Sequence, residues 1–214
     1  MKQYILFDHD GVLVDTEHWY YRANVRALAE IGVAIERDAY LANMADGISA
    51  WEVARTAGVD EEAIRTARER RDRYYQEYLV TREIDIDGVL DTLERLAERY
   101  RMAIVTTSKR TDFELIHRNR RIVDWMEFVL TTEDYVHSKP HPEPYLMGLA
   151  RLGADPTEAV VVEDSARGLK SALAAGIDCI VVKNEFTVGH DFSSATRRVG
   201  SFAELPAAIA ALGS

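Results

Sequence analysis

Two aspartates in the segment FDHDGVLVD have the type and spacing to do chemistry. Asp8 and Asp10 stand two residues apart, directly after the apolar run Tyr4–Phe7. Like charges this close repel, and each raises the pKa of its neighbour, so a positive group is expected beside them. If the chain is still extended there, both side chains project from the same side. A hard cation such as Mg²⁺ prefers oxygen ligands and would relieve the repulsion.

A calcium-binding loop is the rival interpretation of this acidic pair. It fails because Gly11 comes too early, and because the twelfth position counted from Asp8 is Trp19, where that loop needs a bidentate Glu. Taken alone, a DxDG segment is more often an acidic turn than an active site. Other motifs must therefore decide between a turn and a site.

Three further motifs place polar side chains after β-rich runs. MAIV leads into hydroxyls and a turn of backbone N–H groups that suit an anion, at Thr106, Thr107 and Ser108. In HSKP, Lys139 precedes a proline that biases it to an extended backbone. VVVEDSARG puts Glu163 and Asp164 after three valines. Singly, these motifs also fit helix caps and a solvated lysine. Together they combine metal ligands, an anion cradle and a fixed positive charge, as phosphoryl transfer requires.

The elements that must position these residues are short strands alternating with amphipathic helices. Strands are predicted at 4–7, 102–106, 128–131, 159–162 and 179–182. The alternation predicts an α/β fold with a doubly wound, mainly parallel sheet. Each motif then lies at the carboxyl end of a strand, where such sheets bind ligands.

One stretch interrupts this alternation. It contains no convincing strand, and helices are predicted over 16–31, within 37–58 and over 60–79. We therefore predict a helical domain at 15–82 inserted into a core formed by 1–14 and 83–214. The last of these helices carries five arginines among acidic residues, which is typical of a solvated face, and the alternative is that one of these arginines faces a ligand. Ion pairs are expected at helical spacing, such as Glu61 with Arg65 and Glu69 with Arg73.

Composition narrows the function classes. The chain has 214 residues and a formal net charge of −10, which argues against nucleic-acid or anionic-membrane partners. An anionic ligand must then be captured by a few placed cations. The single cysteine, Cys179, lies in an apolar run and predicts a buried thiol. The N-terminal stretch has no signal-peptide pattern. We expect a cytoplasmic protein, a monomer or weak homodimer, that binds a small molecule.

The four motifs resemble a known set. FDHDGVLVDTE, IVTTSK, the lysine of SKP and VVEDSARG resemble, in order, the signature motifs of the haloacid dehalogenase superfamily. The helical insert is similar to the cap of its β-phosphoglucomutase-like and phosphoglycolate phosphatase-like branch. The resemblance spans nearly the whole chain. It implies a Rossmann-like core with an inserted helical-bundle cap that is mobile and closes over a small phosphorylated substrate.

The resemblance also implies catalytic roles. Asp8 would attack phosphorus and become an aspartyl phosphate, and Asp10 would act as general acid and base. Lys139 would neutralise the phosphoryl oxygens. These oxygens would be bound by Thr106 with the backbone N–H groups of Thr107 and Ser108.

A metal site and a hinge are implied in the same way. Mg²⁺ would be held by Asp8, the backbone carbonyl of Asp10 and Asp164, with Glu163 nearby. Asp15 and Thr16 would lie at the cap hinge.

Departures from related patterns narrow the reaction. No lysine occurs between Lys2 and Lys109, which removes the cap lysine of phosphonoacetaldehyde hydrolases. Dehalogenases lack the second aspartate of the DxD motif, so the presence of Asp10 favours phosphoryl chemistry. Tyr20 and Ala50 stand where a hexose phosphomutase is expected to carry His and Arg.

The leading hypothesis is therefore a Mg²⁺-dependent phosphatase acting on a small metabolite phosphate, a sugar phosphate or phosphoglycolate. A sugar phosphomutase is the runner-up, and a non-catalytic module that binds phosphate or a partner is the alternative from another class. His9, between the two aspartates, is expected either to contact substrate or to pack against the cap.

Overall fold

The structure is a computed structural model that describes residues 1–212. The chain divides into two compact units, one formed by Met1–Asp15 with Asp85–Ser214 and the other by Thr16–Ile84. The inserted domain was predicted at 15–82. Within the described part of the chain, no helix is both long and apolar enough to cross a bilayer.

The first unit contains a parallel sheet of six strands within residues 1–212, in the order β3-β2-β1-β4-β5-β6. The strands are β1 Tyr4–Phe7, β2 Arg101–Val105, β3 Met126–Leu130, β4 Ala159–Glu163, β5 Asp178–Val182 and β6 Arg197–Val199. The predicted α/β fold with a doubly wound parallel sheet is confirmed. Strand β6 was not predicted because, of its three residues, only Val199 is buried, which leaves no apolar run.

The second unit is helical, as predicted. Its helices are α1 Glu17–Ala29, α2 Arg37–Ala45, α3 Ala50–Thr56 and α4 Glu61–Thr81. They enclose an apolar core that includes Leu28, Tyr40, Trp51 and Ile64. Helix α1 stops before Gly32, whose φ of +75° suits glycine in the turn that follows.

The expected ion pairs on α4 are wrong in detail. Arg65 contacts Glu69 at 3.2 Å, and Glu61 instead binds Arg55 at 2.6 Å. Arg71 departs from the predicted solvated face altogether. It is buried, its guanidinium carbon lies 4.5 Å from the centre of the Tyr20 ring, and it donates to a side chain of α1. The charges alone do not single out Arg71, whereas its spacing from the buried residues Ala67 and Tyr75 places it on the inward face of the helix.

Helices of the first unit flank the sheet. They are α5 Val89–Ala97, α6 Arg110–His117, α7 Glu143–Leu152, α8 Ala166–Ala174 and α9 Leu205–Ala210. The main apolar core contains Leu6, Val105 and Val161 from the sheet, with Tyr145 and Leu169 from α7 and α8. Cys179 of β5 is buried in this core, as predicted.

Strand register brings the motifs to one edge. Phe7 of β1 pairs with Ile104 of β2 on one side and with Val162 of β4 on the other. The residues that follow these three positions therefore leave the sheet next to one another. In the strand order, β1 is also the point where the chain changes direction across the sheet, and open α/β sheets bind ligands at such a point.

Candidate active site

Lys139 lies at the centre of the carboxyl edge and binds groups from three strand ends. Its Nζ donates to Asp8 Oδ1 at 2.7 Å, to Glu163 Oε1 at 2.8 Å and to the Val105 carbonyl at 2.9 Å. The side chain is buried. Burial alone would lower the pKa of Lys139, but the charges and hydrogen bonds of the two carboxylates outweigh it and raise that pKa. The ammonium therefore stays charged, and its three hydrogens all have acceptors.

A loop contact fixes the segment that carries this lysine. The Glu143 carboxylate accepts hydrogen bonds from the backbone N–H groups of Val136 at 2.8 Å and His137 at 3.0 Å. The Glu143 carboxylate, at the start of α7, thereby ties down the chain on the N-terminal side of Lys139. His137, His141 and Glu143 also cluster on this exposed surface.

Asp8 is strongly perturbed by its surroundings. Burial raises the pKa of Asp8, the negative charge of Glu163 raises it further, and Lys139 opposes both, giving a pKa of about 6. The fully buried Glu163 and the largely buried Asp8 thus share a single lysine. A further cation beside Asp8 would relieve the excess negative charge.

Glu163 is fully buried, and both of its oxygens accept hydrogen bonds. Oε1 accepts from Lys139 and from the Tyr145 hydroxyl, each at 2.8 Å. Oε2 accepts from the backbone N–H groups of Asp164 at 3.1 Å and Ser165 at 3.2 Å, and from the Ser165 hydroxyl at 3.0 Å. Burial would raise the pKa of Glu163, but Lys139 and these donors lower it below its usual value. Glu163 is therefore an ionised carboxylate that orients Lys139.

Gly168, on α8, has no side chain, and the Glu163 carboxylate occupies the space that a side chain would fill. A Cβ added at Gly168 would lie 1.7 Å from Glu163 Oε1. We predict that Gly168→Ala destabilises the protein by about 1–3 kcal/mol, as overpacking of a dense core does, and lowers activity because Glu163 moves away from Lys139. Chemical denaturation and steady-state kinetics check both effects. Gly189→Ala is the matched control, since a Cβ there meets no described atom within 4 Å. Equal stability of the two variants would contradict this account.

Asp164 lies beside the turn that follows Asp10. Its Oδ2 accepts from Asn184 Nδ2 at 2.8 Å, and a Cβ on Gly11 would lie 2.2 Å from the same oxygen. Gly11 also has a φ of +77°, so glycine is required there both by space and by backbone conformation. Asn184 was not among the predicted site residues. Its position could have indicated a role, because it follows the end of β5 closely, as the other polar site residues follow the ends of their strands.

The acidic residues fit a hard cation. Asp8, Glu163 and Asp164 each present a carboxylate oxygen, and these oxygens lie within 4.8 Å of one another. A set made only of oxygen donors suits Mg²⁺. Because the oxygens of Glu163 already accept five hydrogen bonds, Asp8 and Asp164 are the better ligands of the three.

Asp10 is held by the hydroxyl-rich turn after β2. Its Oδ2 accepts from the Ser108 hydroxyl and, at 3.4 Å, from the Thr106 hydroxyl. Thr106 is buried, and its hydroxyl oxygen accepts the Ser108 N–H at 3.0 Å. An anion that used this N–H would have to compete with Thr106. Thr107, at the tip of the turn, is half-buried. The structure thus brings together Asp8, Asp10, Thr106, Ser108 and Lys139.

His9 is not exposed, so the structure does not support the expected contact with substrate. It is fully buried in the first unit and packs against Phe113 and His117 of α6, with ring centres 4.9 Å and 5.0 Å away. Its Nδ1 lies 3.2 Å from Asp10 Oδ2.

Fold and site together define a class of hydrolase. A family model described as haloacid dehalogenase-like hydrolase matches residues 5–182. The chain belongs to this family. The resemblance seen in the motifs is thereby confirmed.

Named relatives cover most of the chain. Protein CbbY of Cereibacter sphaeroides is 31% identical, with 96% of this chain and 94% of the relative covered. Fructose-1-phosphate phosphatase YqaB of Escherichia coli K12 is 27% identical, covering 84% and 95%. A mutant of CbbY from Rhodobacter sphaeroides, solved in complex with xylulose-(1,5)bisphosphate, matches with a TM-score of 0.80 at 27% identity, covering 96% of each chain. The expected enzyme class, a hydrolase of a branch that contains phosphatases, is confirmed.

Proposed function

We propose that the protein is a Mg²⁺-dependent phosphatase that hydrolyses a small phosphorylated metabolite through an aspartyl phosphate at Asp8. The buried contact of Lys139 with both Asp8 and Glu163 carries this proposal. A lysine that served only stability would not need two carboxylates at a strand edge where ligands bind. This arrangement instead offers a nucleophile next to a fixed positive charge, which suits attack on a phosphate monoester.

The side chains then act in two half-reactions. A carboxylate oxygen of Asp8 forms a bond to phosphorus as the bond to the leaving oxygen breaks, and Asp10 gives that oxygen a proton. Asp10 next takes a proton from water, which attacks the same phosphorus and releases Asp8. Lys139 stays protonated throughout and offsets the charge on the phosphoryl oxygens. The hydroxyl of Thr106 and the backbone around Thr107 and Ser108 orient the phosphoryl group.

Mg²⁺ would be held by Asp8, Asp164 and the backbone carbonyl of Asp10, and when bound it would neutralise charge on the phosphoryl group. The hydrogen bonds to Glu163 favour a role for that residue in holding Lys139, not in binding metal directly. Asn184 would orient Asp164 through its 2.8 Å hydrogen bond.

The relatives favour a sugar phosphate as the substrate class. Fructose-1-phosphate phosphatase and validoxylamine A 7'-phosphate phosphatase are both named for phosphorylated carbohydrate-like compounds, and a related structure holds xylulose-(1,5)bisphosphate. The neighbours described as phosphoglycolate phosphatases are only 20% and 21% identical, so they support the fold alone. The cytoplasmic location and the monomer or weak homodimer remain predictions.

A panel of metabolite phosphates, assayed for phosphate release with and without Mg²⁺, tests the proposed function. We expect release from sugar phosphates only when Mg²⁺ is present. A coupled assay with β-glucose 1-phosphate, primed with the bisphosphate, separates hydrolysis from mutase activity. Isomerisation faster than phosphate release would favour the mutase, and an absence of turnover on the whole panel would favour a binding module.

Proton binding at Asp8 predicts how pH controls the response to Mg²⁺. In the metal-free fold, the pKa of Asp8 rises from 3.8 to about 6. A raised carboxyl pKa means that the folded state binds more protons than the unfolded state between these values, so this group lowers stability as pH rises through that window. Mg²⁺ binds only the ionised form of the Asp8 carboxyl, so bound Mg²⁺ would offset this loss of stability. We expect Mg²⁺ to raise Tm at pH 7.5 and to lose this effect at pH 5.

Thermal unfolding with and without Mg²⁺ at the two pH values measures this. Asp178→Asn, which alters an ion pair between an exposed carboxylate and the buried Lys2, is expected to keep the Mg²⁺ response. An equal shift in Tm at pH 5 and pH 7.5 would contradict Asp8 as a ligand.

A further inference from the structure

His9 and His117 form a buried pair for which the proposed reaction has no use. His9 is fully buried and follows Asp8, and His117 is 9% exposed in the last turn of α6. Their Nε2 atoms lie 2.8 Å apart, and His9 Nδ1 lies 3.2 Å from Asp10 Oδ2. The two rings therefore form a continuous chain of polar contacts from α6 to Asp10. A pair of buried imidazoles costs desolvation, so apolar residues would fill this space at lower cost.

The contacts fix the direction of the hydrogen bonds. Toward a carboxylate oxygen, which only accepts, His9 Nδ1 must donate. A neutral His9 then has a bare Nε2, which can only accept, so His117 Nε2 must carry the hydrogen between the rings. Burial and the nearby His9 lower the pKa of His117 to about 3, which keeps this ring neutral. His117 Nδ1 is left bare, and this atom has no hydrogen-bond partner among residues 1–212.

The opposite direction is unfavourable. In that direction a protonated Asp10 would donate to His9 Nδ1, and His9 Nε2 would donate to His117 Nε2. His117 Nδ1 would then carry a buried N–H with no acceptor in the described part of the chain. Orphaned buried N–H groups are rare in proteins, and rarer than acceptors that lack a donor. Hydrogen bonds that run from His117 to His9 to Asp10 therefore leave only an acceptor, His117 Nδ1, without a partner, and no buried N–H.

This direction matters because of what else binds the same oxygen. Asp10 Oδ2 also accepts from the hydroxyls of Ser108 and Thr106. His9 and Ser108 hold Oδ2 as an acceptor even when the Thr106 hydroxyl turns to the phosphoryl group, so a proton on Asp10 belongs on Oδ1. We propose that His9, held by His117, is a positioning residue that fixes Oδ2 and thereby assigns proton transfer to Oδ1 of Asp10. This inference rests on the proposed function, in which Asp10 protonates the leaving oxygen. A general acid works only when its proton is within hydrogen-bond reach of that oxygen.

The hydrogen-bond direction can be measured without turnover. Nitrogen-15 NMR of the histidine rings reports which nitrogen of each ring carries hydrogen. We expect His9 with hydrogen on Nδ1 only and His117 with hydrogen on Nε2 only, in the wild-type protein at pH 7.5. Assignment uses the spectra of His9→Asn and His117→Gln, which lack one ring each. Hydrogen on His9 Nε2, or on His117 Nδ1, overturns the proposal whether or not a substrate has been found.

Kinetics test the consequence for catalysis. A 4-nitrophenolate group leaves with little help from an acid, whereas a sugar alkoxide needs its proton. For His9→Leu we expect kcat/KM to fall about tenfold or more with a sugar phosphate and by less than about threefold with 4-nitrophenyl phosphate. His9→Asn keeps a donor close to the position of Nδ1 and is expected to recover most of the loss. Equal losses on the two substrates overturn the proposal, as does a failure of His9→Asn to recover activity.

Two controls separate positioning from folding. His141→Leu removes an exposed histidine that does not belong to this chain of contacts, and it is expected to leave kcat/KM unchanged with both substrates. Inhibition by inorganic phosphate reports the phosphate site, and His9→Leu is expected to leave it within about twofold because the proposed defect lies in proton transfer. A weakened phosphate site, with loss on both substrates, would instead show a structural role for His9 and overturn the proposal. Wild-type inactivity on every substrate would refute the proposed function and leave the NMR measurement to decide the geometry.

Discussion

Asp8→Asn is expected to lower the rate of phosphate release by at least about 10³-fold, as removal of a covalent nucleophile does in other enzymes. The amide is nearly isosteric, but it is a poor nucleophile and cannot form an acyl phosphate. The fold should survive, since the ionised Asp8 is held in a buried site where its pKa is raised to about 6. Loss of activity with an unchanged far-UV spectrum and cooperative unfolding is the expected result.

The chain offers a close control for this substitution. Asp178 also forms an ion pair with a buried lysine, with Asp178 Oδ2 2.7 Å from Lys2 Nζ, as Asp8 Oδ1 is 2.7 Å from Lys139 Nζ. Asp178 begins β5, whereas Asp8 follows the end of β1. Asp178→Asn is therefore expected to keep full turnover. An Asp8→Asn protein with more than about a tenth of wild-type activity would rule out covalent catalysis at this position.

Lys139→Met is expected to cost both activity and stability. Without the ammonium, the carboxylates of Asp8 and Glu163 remain buried together with no counter-charge. Breaking a buried ion pair by removing one partner costs about 3–5 kcal/mol. Chemical denaturation in the absence of Mg²⁺ should show this loss, and phosphate release should fall to the background rate.

A second substitution separates the two effects. Adding Glu163→Gln to Lys139→Met removes one of the two uncompensated charges, so much of the lost stability should return while activity stays absent. Lys109→Met, at an exposed position before α6, is the control and should change neither quantity. Recovery of activity in the double variant would contradict the role of Lys139 in catalysis.

The sequence predicts the strand edge well because its signals are local. The run AVVVE of β4 is buried throughout, as expected of a strand covered on both faces, and its polar end marks the site. Parallel pairing then forces neighbouring strand ends together, so the proximity of Asp8 and Thr106 follows from topology alone.

Contacts between distant segments could not be predicted in the same way. His9 and His117 lie 108 positions apart and have no shared pattern. The prediction for Glu163 was incomplete for a related reason. Adjacent acids after a strand indicate a metal site, but only the folded chain shows that Lys139 and Tyr145 bind one Glu163 oxygen and the residues just before α8 bind the other.

Arg71 shows how the environment of a charged residue on a helix can be mispredicted from sequence. Its chain neighbours Arg70 and Asp72 are charged, which favours solvent, although the buried residues Ala67 and Tyr75 lie one turn away on the same face of α4. Only the packing of α1 against α4 reveals that this guanidinium lies over Tyr20 and donates to Asn24.

Trapping the covalent intermediate tests the central claim most directly. Wild-type protein mixed with a sugar phosphate and Mg²⁺ is quenched within one turnover and treated with borohydride, which reduces an acyl phosphate to an alcohol. Peptide mass spectrometry should find the reduced side chain at position 8 alone, and not in protein quenched without substrate. Phosphate release from an active protein with no reduction at Asp8, or with reduction at another carboxylate, would contradict the account.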